Sequence, residues 1–146
     1  MNLYKEFLAV IKTIKKCRYL LIGGLAYSLY VEPRFTQDVD FMICEENFEK
    51  IGELLIRIGF LKQKNIIVLP EAKIGRCVKI FNRDTLIVDF LLKDKTDFEK
   101  IYKRREEIKY RNIKISVISP KDLIRLKQLR NSKQDQVDIE NLKKLL

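Results

Sequence analysis

The chain has 146 residues, of which 47% are hydrophobic, and it carries a formal net charge of +10. This length is enough for one domain with a buried core, so we predict a single domain over residues 1–146. The sequence has no histidine, and its three cysteines, Cys17, Cys44 and Cys77, match no zinc-site spacing. These facts exclude a Cys/His metal centre and hydrolases that depend on histidine.

Hydropathy and the N-terminal residues bear on where the protein resides. No apolar run in the sequence approaches the ~20 residues that a membrane-spanning helix needs. The segment from Met1 to Glu6 lacks the basic and apolar regions of a signal peptide. We therefore expect a cytoplasmic protein with no membrane partner. The positive charge favours polyanionic partners, such as nucleoside triphosphates or RNA, although it also serves solubility.

Apolar periodicity and turn residues predict a chain that mixes helices and strands. In chain order we predict a helix over residues 3–14, a strand over 19–22, a helix over 25–31, a strand over 38–44, a helix over 48–58, strands over 66–69, 77–81 and 86–92, a helix over 98–105, a strand over 113–118 and helices over 120–130 and 135–145. Asn82-Arg83-Asp84 is typical of a hairpin turn, and Ser119-Pro120 of a helix start. The expected fold is a mixed α/β (α+β) domain, with a mixed sheet, flanking helices and a C-terminal helical pair.

Asp38 and Asp40 lie two residues apart in a predicted strand, so their side chains share one face. Their Cα atoms are then ~6.6 Å apart, which lets both carboxylates converge on one hard cation such as Mg²⁺. A solvent-facing strand edge is the alternative explanation for this pair.

Asp89 lies within the apolar segment Leu86–Leu92, where an isolated carboxylate costs several kcal/mol to desolvate. We expect it to have a partner, which is either a metal ion or one of the many basic side chains. If its strand neighbours that of Asp38, three carboxylates meet, and a divalent ion would relieve their repulsion.

Gly23-Gly24 ends a predicted strand and opens a helix, where free backbone amides can bind a phosphate. A tight turn is the plainer interpretation. The loop before the acids carries Arg34 and Thr36. Arg34 is suited either to forking onto a phosphate or to holding the loop by pairing with an acid.

The pattern Gly23-Gly24-Leu25-Ala26, Arg34-Phe35-Thr36-Gln37-Asp38-Val39-Asp40 and Asp89 resembles the polymerase-β-like nucleotidyltransferases. It is closest to the abortive-infection-type nucleotidyltransferase toxins and their small relatives. The resemblance implies that Asp38, Asp40 and Asp89 are catalytic and hold two Mg²⁺ ions. It also implies that Gly23, Gly24, Arg34 and Thr36 bind a nucleoside triphosphate such as ATP. One departure is Gly24, at a position where many members have a serine that binds triphosphate.

The predicted apolar side of the first C-terminal helix carries Leu123, Leu126 and Leu129, and that of the second carries Val137, Leu142, Leu145 and Leu146. Charged residues also fall on these apolar sides. Helical wheels place Lys127, Arg130, Asp135 and Asp138 inward. An ion-pair network between the helices is one interpretation, and the other is that Lys127 reaches the triphosphate. The segment resembles the Lys-x-x-Arg…Asp-x-x-Asp pattern of the toxin-like group.

The expected function is magnesium-dependent nucleotidyl transfer to a hydroxyl of RNA, protein or a small molecule. The basic cluster Lys103-Arg104-Arg105, with Lys109 and Arg111, fits either a tRNA or other RNA acceptor or a solvated helix end. Two alternatives remain, which are a non-catalytic nucleotide- or RNA-binding module and a toxin–antitoxin component that binds a cognate antitoxin protein.

Overall fold

A computed structural model of the chain describes residues 2–34 and 36–146. Phe35, part of the motif that precedes the paired acids, lies outside the described residues. The described residues form six α-helices: α1 (Leu3–Ile14), α2 (Gly23–Tyr30), α3 (Phe48–Ile56), α4 (Lys95–Lys103), α5 (Pro120–Arg130) and α6 (Lys133–Lys143). They also form eight strands: β1 (Leu20–Ile22), β2 (Asp38–Cys44), β3 (Leu61–Lys62), β4 (Ile67–Val68), β5 (Lys73–Ile80), β6 (Thr85–Lys93), β7 (Glu106–Tyr110) and β8 (Ile113–Val117).

These strands form one mixed sheet in the order β3-β5-β6-β2-β1-β8-β7, and β4 also pairs with β5. The pairs β2–β6 and β1–β8 are parallel, and the other pairs are antiparallel. The predicted fold class is therefore confirmed.

An aromatic cluster of the hydrophobic core lies on one face of the central strands, and the buried Leu20 and Met42 lie on the other face. Phe41 of β2 and Phe90 of β6 are register partners, and their rings stack at 5.6 Å. Phe48 of α3 packs 5.9 Å from Phe90, and Tyr19 packs edge-on against Phe41. Because neighbouring residues of a strand alternate sides, Asp40 and Asp89 fall on the opposite face of the same two strands.

Several element bounds match the sequence prediction, including those of α1, β2 and α5. The two-residue β3 and the polar β7 were missed because neither carries a clear apolar alternation. Helix α6 begins at Lys133, earlier than predicted, because Ser132 and Asp135 form a capping box at its start.

The predicted apolar surface of the C-terminal helices was partly wrong. Val137, Leu145 and Leu146 are at least half exposed. The buried side of α6 is instead set by Ile139 and Leu142 together with Asp135 and Asp138. Val137 lies two residues before Ile139, and at ~100° per residue it falls on the other side of the helix.

In the part of the chain that the structure describes, no helix combines the length and the apolar character needed to cross a bilayer.

Candidate active site

The acids predicted to act together lie on adjacent strands. Strands β2 and β6 are parallel, and their register places Asp40 directly beside Asp89. Asp38 lies two residues earlier on β2, beside Ile87. The arrangement confirms that the strand of Asp89 neighbours the strand of the paired acids.

Gly23 shapes the site on its other side. It is the first residue of α2 and has a φ of +69°, a region that L side chains rarely adopt. A Cβ at this position would lie 2.5 Å from Oδ2 of Asp40. Gly23 is therefore needed both for its backbone angle and for the close approach of the Asp40 carboxylate.

Gly24 has no such constraint, because a Cβ there would meet only the Arg34 and Thr36 side chains at 3.8 and 3.9 Å. The position has room for a small side chain. Gly24, Arg34 and Thr36, all predicted to bind the nucleotide, are thus neighbours in space.

Asp40 is in an electrostatically unfavourable place. Burial and the nearby charges of Asp89 and Asp38 raise its pKa to about 6, although Arg130 and Arg76 partly oppose the rise. A carboxylate pair whose negative charges repel in this way suits a cation with carboxylate-oxygen ligands.

Asp89 has a partner that the sequence analysis did not identify. Nε and Nη2 of Arg76 donate hydrogen bonds to Oδ1 and Oδ2 of Asp89 at 2.8 and 3.0 Å. Arg76 lies on β5 directly opposite Asp89. The predicted hairpin turn carried the signal, because Ile80 pairs with Thr85 and counting four residues back and four forward from that pair reaches Arg76 and Asp89.

Asp38 is exposed, and it does not close a three-ligand set with the other two acids. Within residues 2–34 and 36–146, no group of three or more acidic or cysteine side chains has an arrangement that could hold a metal ion. Carboxylates repel one another, and the Arg76 fork holds Asp89 toward β5. The chemistry of Asp40 and Asp89 fits a hard divalent cation, but the predicted convergence of three acids is not seen.

A cleft of about 240 Å³ lies over the acid pair. Gly23, Asp40 and Asp89 line it, and so do Lys127 and Arg130 of α5. Its walls are otherwise mostly apolar, and they include Leu69, Ile74, Leu91, Leu123, Leu126 and Leu129. Leu129 was predicted to lie on the buried side of α5, but it is 66% exposed beside this cleft.

The charges predicted to point inward on α5 and α6 form one network. Asp138 is fully buried and accepts bonds from Arg34 (2.6 and 2.9 Å), Lys127 (2.8 Å) and Gln134 (2.9 Å). Burial alone would raise the pKa of Asp138, but these bonds lower it below its ordinary range. Arg34 therefore has the acid-pairing role that was one of its two predicted alternatives.

Asp135 completes the network. It accepts two bonds from Arg130, at 2.8 and 2.7 Å, and further bonds from the backbone and hydroxyl of Ser132. Arg130 chiefly lowers the pKa of this carboxyl. The Asp135 and Lys127 side chains are buried, whereas 72% of the Arg130 side chain is exposed. Inward placement is thus confirmed for Lys127, Asp135 and Asp138, and it was wrong for Arg130.

Tyr27 joins this network to α2. The guanidinium of Arg34 lies 4.1 Å from the centroid of its ring, and Nζ of Lys127 lies 5.5 Å away. Its hydroxyl accepts a hydrogen bond from Asn141 of α6 at 2.9 Å. The helix that begins at Gly23 is therefore tied to both C-terminal helices.

The remaining predicted residues have local partners. The hydroxyl of Thr36 accepts a bond from the backbone amide of Asp38 at 3.2 Å, which fixes the approach to β2. In the basic cluster, Arg104 is paired with Asp122 and Arg105 with Glu107.

No protein-family model and no curated protein sequence matches the chain. Solved structures do resemble it. The lincosamide antibiotic adenylyltransferase LnuA, solved with lincomycin bound, has a TM-score of 0.66 and 20% identity, and the match covers 97% of each chain. A candidate nucleotidyltransferase of Thermotoga maritima has a TM-score of 0.69 and 17% identity, covering 92% of this chain and 89% of that one.

The antibiotic-resistance factor ANT(2'')-Ia, solved with adenylyl-2''-tobramycin, has a TM-score of 0.63 and 11% identity. That match covers 96% of this chain and 85% of the other. The chain thus has the fold of known nucleotidyltransferases, as the sequence motif predicted.

Proposed function

We propose that this protein transfers a nucleotidyl group from a nucleoside triphosphate, such as ATP, to the hydroxyl of an acceptor, with Mg²⁺ held by Asp40 and Asp89. The observation that carries the proposal is the direct pairing of Asp40 with Asp89 in a cleft beside Gly23. Two partly buried carboxylates side by side repel one another, and a divalent cation between them would relieve that repulsion.

In the proposed reaction the acceptor oxygen bonds to the α-phosphorus, and the bond between the α- and β-phosphates breaks to release pyrophosphate. The proton of the acceptor hydroxyl passes to Asp89. Bound Mg²⁺ would neutralise the acids and the phosphate charge of the in-line displacement. The amide end of α2 at Gly23 and Gly24 is suited to the phosphates.

Lys127 is proposed to contact the triphosphate from the α5 side of the cleft. Its ammonium is held by Asp138 and also lies 3.7 Å from Asp135. An ammonium fixed in this way keeps its position and needs little reorganisation to meet a phosphate. Arg34 and Thr36 are proposed to close the phosphate site beside Gly24.

The lining of the cleft favours a small acceptor with an apolar body over a nucleic acid. Of the three basic residues that line it, Lys127 is assigned to the triphosphate and Arg130 is bound to Asp135, which leaves Lys93 for an acceptor. A nucleic acid depends on free cations for its phosphates. LnuA acts on lincosamides and ANT(2'')-Ia was solved with an adenylylated tobramycin, so small acceptors have a precedent on this fold.

A labelling experiment tests the proposal. The protein is incubated with Mg²⁺ and each of the four α-³²P ribonucleoside triphosphates, with cell extract divided into low-molecular-weight, RNA and protein fractions. Lincomycin and tobramycin serve as defined small acceptors. We expect label in the low-molecular-weight fraction, and we expect Asp40→Asn to lower it at least ~10³-fold while leaving the circular dichroism spectrum unchanged.

The matched control is Asp97→Asn, which changes an exposed acid of α4. Equal labelling by wild type and Asp40→Asn would contradict the metal-site assignment. Label in the RNA fraction alone would keep the transfer reaction but contradict the small acceptor.

The Arg76–Asp89 pair also supports a second candidate, a non-catalytic nucleotide-binding module. An arginine that occupies both oxygens of the third acid competes with a cation for them. Equilibrium dialysis with labelled ATP, combined with an assay of pyrophosphate release, separates the two candidates, because the module would bind ATP without releasing pyrophosphate. A cognate antitoxin protein is compatible with either candidate, and co-purification of the chain with a neighbouring gene product tests it.

A further inference from the structure

Arg76 is placed to do more than form an ordinary ion pair. Three adjacent strands put Arg76, Asp89 and Asp40 in one cross-strand row, with Arg76 and Asp40 on either side of Asp89. Asp89 therefore has a positive charge on one side and a negative charge on the other. The side chains of Arg76 and Asp89 are 32% and 18% exposed, which leaves the guanidinium room to move toward solvent.

The geometry of the pair makes it a direct competitor for a cation. The guanidinium holds both oxygens of Asp89 in a bidentate fork, which is the strongest arrangement that arginine and a carboxylate adopt. A divalent ion shared between Asp40 and Asp89 needs at least one of those oxygens. While Arg76 holds Asp89, its single positive charge is what β5 sets against the negative charges of Asp40 and Asp89.

We propose that Arg76 is a built-in counter-ion of the Asp40–Asp89 pair, which it stabilises in the cation-free protein and from which it withdraws one or both hydrogen bonds when a divalent cation binds. This inference rests on the proposed function, because it assumes that the acid pair is a cation site. It makes Arg76 a positioning residue that sets the stability of the empty site against its affinity for the cation.

Mn²⁺ binding, followed by the electron paramagnetic resonance signal of the free ion, tests this role without any activity assay. We compare wild type, Arg76→Gln and Arg76→Lys, and use Arg18→Gln as the control. Arg18 also bonds to a carboxylate, that of Glu99, but it is exposed and does not line the cleft. Thermal unfolding in EDTA is measured on the same samples.

Arg76→Gln is expected to bind Mn²⁺ about tenfold more tightly, because one competing positive charge is gone. In EDTA its Tm should fall by about 3 °C, because the acids then repel without compensation. Arg76→Lys keeps the charge without the planar fork, so its affinity should lie between the two, and it replaces Arg76→Gln if that variant does not fold. Arg18→Gln should bind Mn²⁺ like wild type.

Equal or weaker Mn²⁺ binding by Arg76→Gln would overturn the counter-ion role, since Arg76 would then be neutral to the site or would help to orient Asp89 as a ligand. Binding by wild type in that case would leave the proposed cation site intact. Failure of every variant to bind Mn²⁺ would instead overturn the cation site and the counter-ion role together.

Discussion

Two regions of this protein bring carboxylates out of water, and they treat them in opposite ways. In the network between α5 and α6, Asp135 and Asp138 meet Arg34, Lys127 and Arg130, so the side-chain cations outnumber the acids. At the acid pair, the Arg76 fork holds Asp89, Arg130 acts on Asp40 from a distance, and Asp38 adds a third negative charge on the strand of Asp40. The pKa of each network acid is lowered, whereas that of Asp40 is raised to about 6.

This difference distinguishes acids that are buried with oppositely charged partners from acids that are buried against one another. A buried carboxylate with a full set of donors has its desolvation cost offset, and removing one partner then destabilises the native state strongly. A carboxylate held against a like charge destabilises it, and the fold keeps such a group only where something else neutralises it. On the proposed function, the network builds the wall of the cleft that carries Lys127, and the acid pair supplies the cation site.

The largest expected effect is on the network. Asp138→Asn removes the negative charge that pairs with Lys127 and Arg34. The side chain of Lys127 is only 5% exposed. We expect a loss of about 3–5 kcal/mol in the free energy of unfolding, because a buried cation loses its partner. Urea denaturation measures it. Glu140→Gln in the same helix, whose pair with Lys143 is exposed, should cost under ~0.5 kcal/mol, and a similar small loss for Asp138→Asn would contradict the network's role.

The two regions should also respond to pH with opposite sign. In EDTA the folded state keeps the Asp40 proton up to about pH 6, whereas the unfolded chain releases it near pH 4. Stability should therefore fall as pH rises across this window, by up to about 3 kcal/mol. Asp135 and Asp138, whose pKa values are lowered, contribute stability above pH ~4 that is lost as pH falls further.

Denaturation midpoints measured from pH 3 to 7 on wild type and Asp40→Asn separate these contributions. The loss between pH 4 and 6 should be absent in Asp40→Asn, while the loss at lower pH remains. The same pH dependence of stability in both proteins would show that the pKa of Asp40 is not raised.

Gly23 tests how closely the acid pair is built against α2. Gly23→Ala places a Cβ 2.5 Å from Oδ2 of Asp40 and puts alanine at a φ of +69°. We expect a loss of about 2 kcal/mol and weaker Mn²⁺ binding. Gly24→Ala is the matched control, because its Cβ has space, and it should be neutral or stabilise the helix slightly. Equal effects of the two changes would show that the Gly23 contact with Asp40 is not required.

The smallest expected effect is at the link between the regions. Tyr27→Phe removes the hydroxyl that accepts the Asn141 bond, and keeps the ring beneath Arg34. A loss of about 1 kcal/mol is expected in urea denaturation. Tyr4→Phe, at a ring that is 46% exposed, should change stability very little, and an equal loss there would argue against a specific role for the Tyr27 hydroxyl.

The sequence predicted most of what positions the acids. Alternation in β2, the apolar context of Asp89 and the glycine turn identified Asp40, Asp89 and Gly23 as site candidates, because each signal is local. Their meeting in one cleft depended on the pairing of β2 with β6, which the sequence left conditional. The inward charges of α5 and α6 followed from helical geometry alone. Helical geometry could not predict which basic side chains pair with the buried acids. Arg34, for example, is over a hundred positions from Asp138 in the chain.

Long-range pairing explains the remaining errors. Arg76 was missed because its role depends on the register of the hairpin. The turn at 82–84 predicts that register only when residue pairs are counted outward from it along both strands. Leu129 was predicted to be buried because it lies on the apolar side of α5. The structure buries only part of that apolar side. The apolar cleft arises where that side faces the sheet without filling the space.

The most direct test of the cation site is anomalous scattering from crystals soaked with Mn²⁺ and a non-hydrolysable nucleoside triphosphate. We predict an anomalous peak within about 2–2.5 Å of carboxylate oxygens of both Asp40 and Asp89, with Arg76 released from at least one oxygen of Asp89. A difference map with no peak between these acids, and with the Arg76 fork still closed on Asp89, would contradict the account.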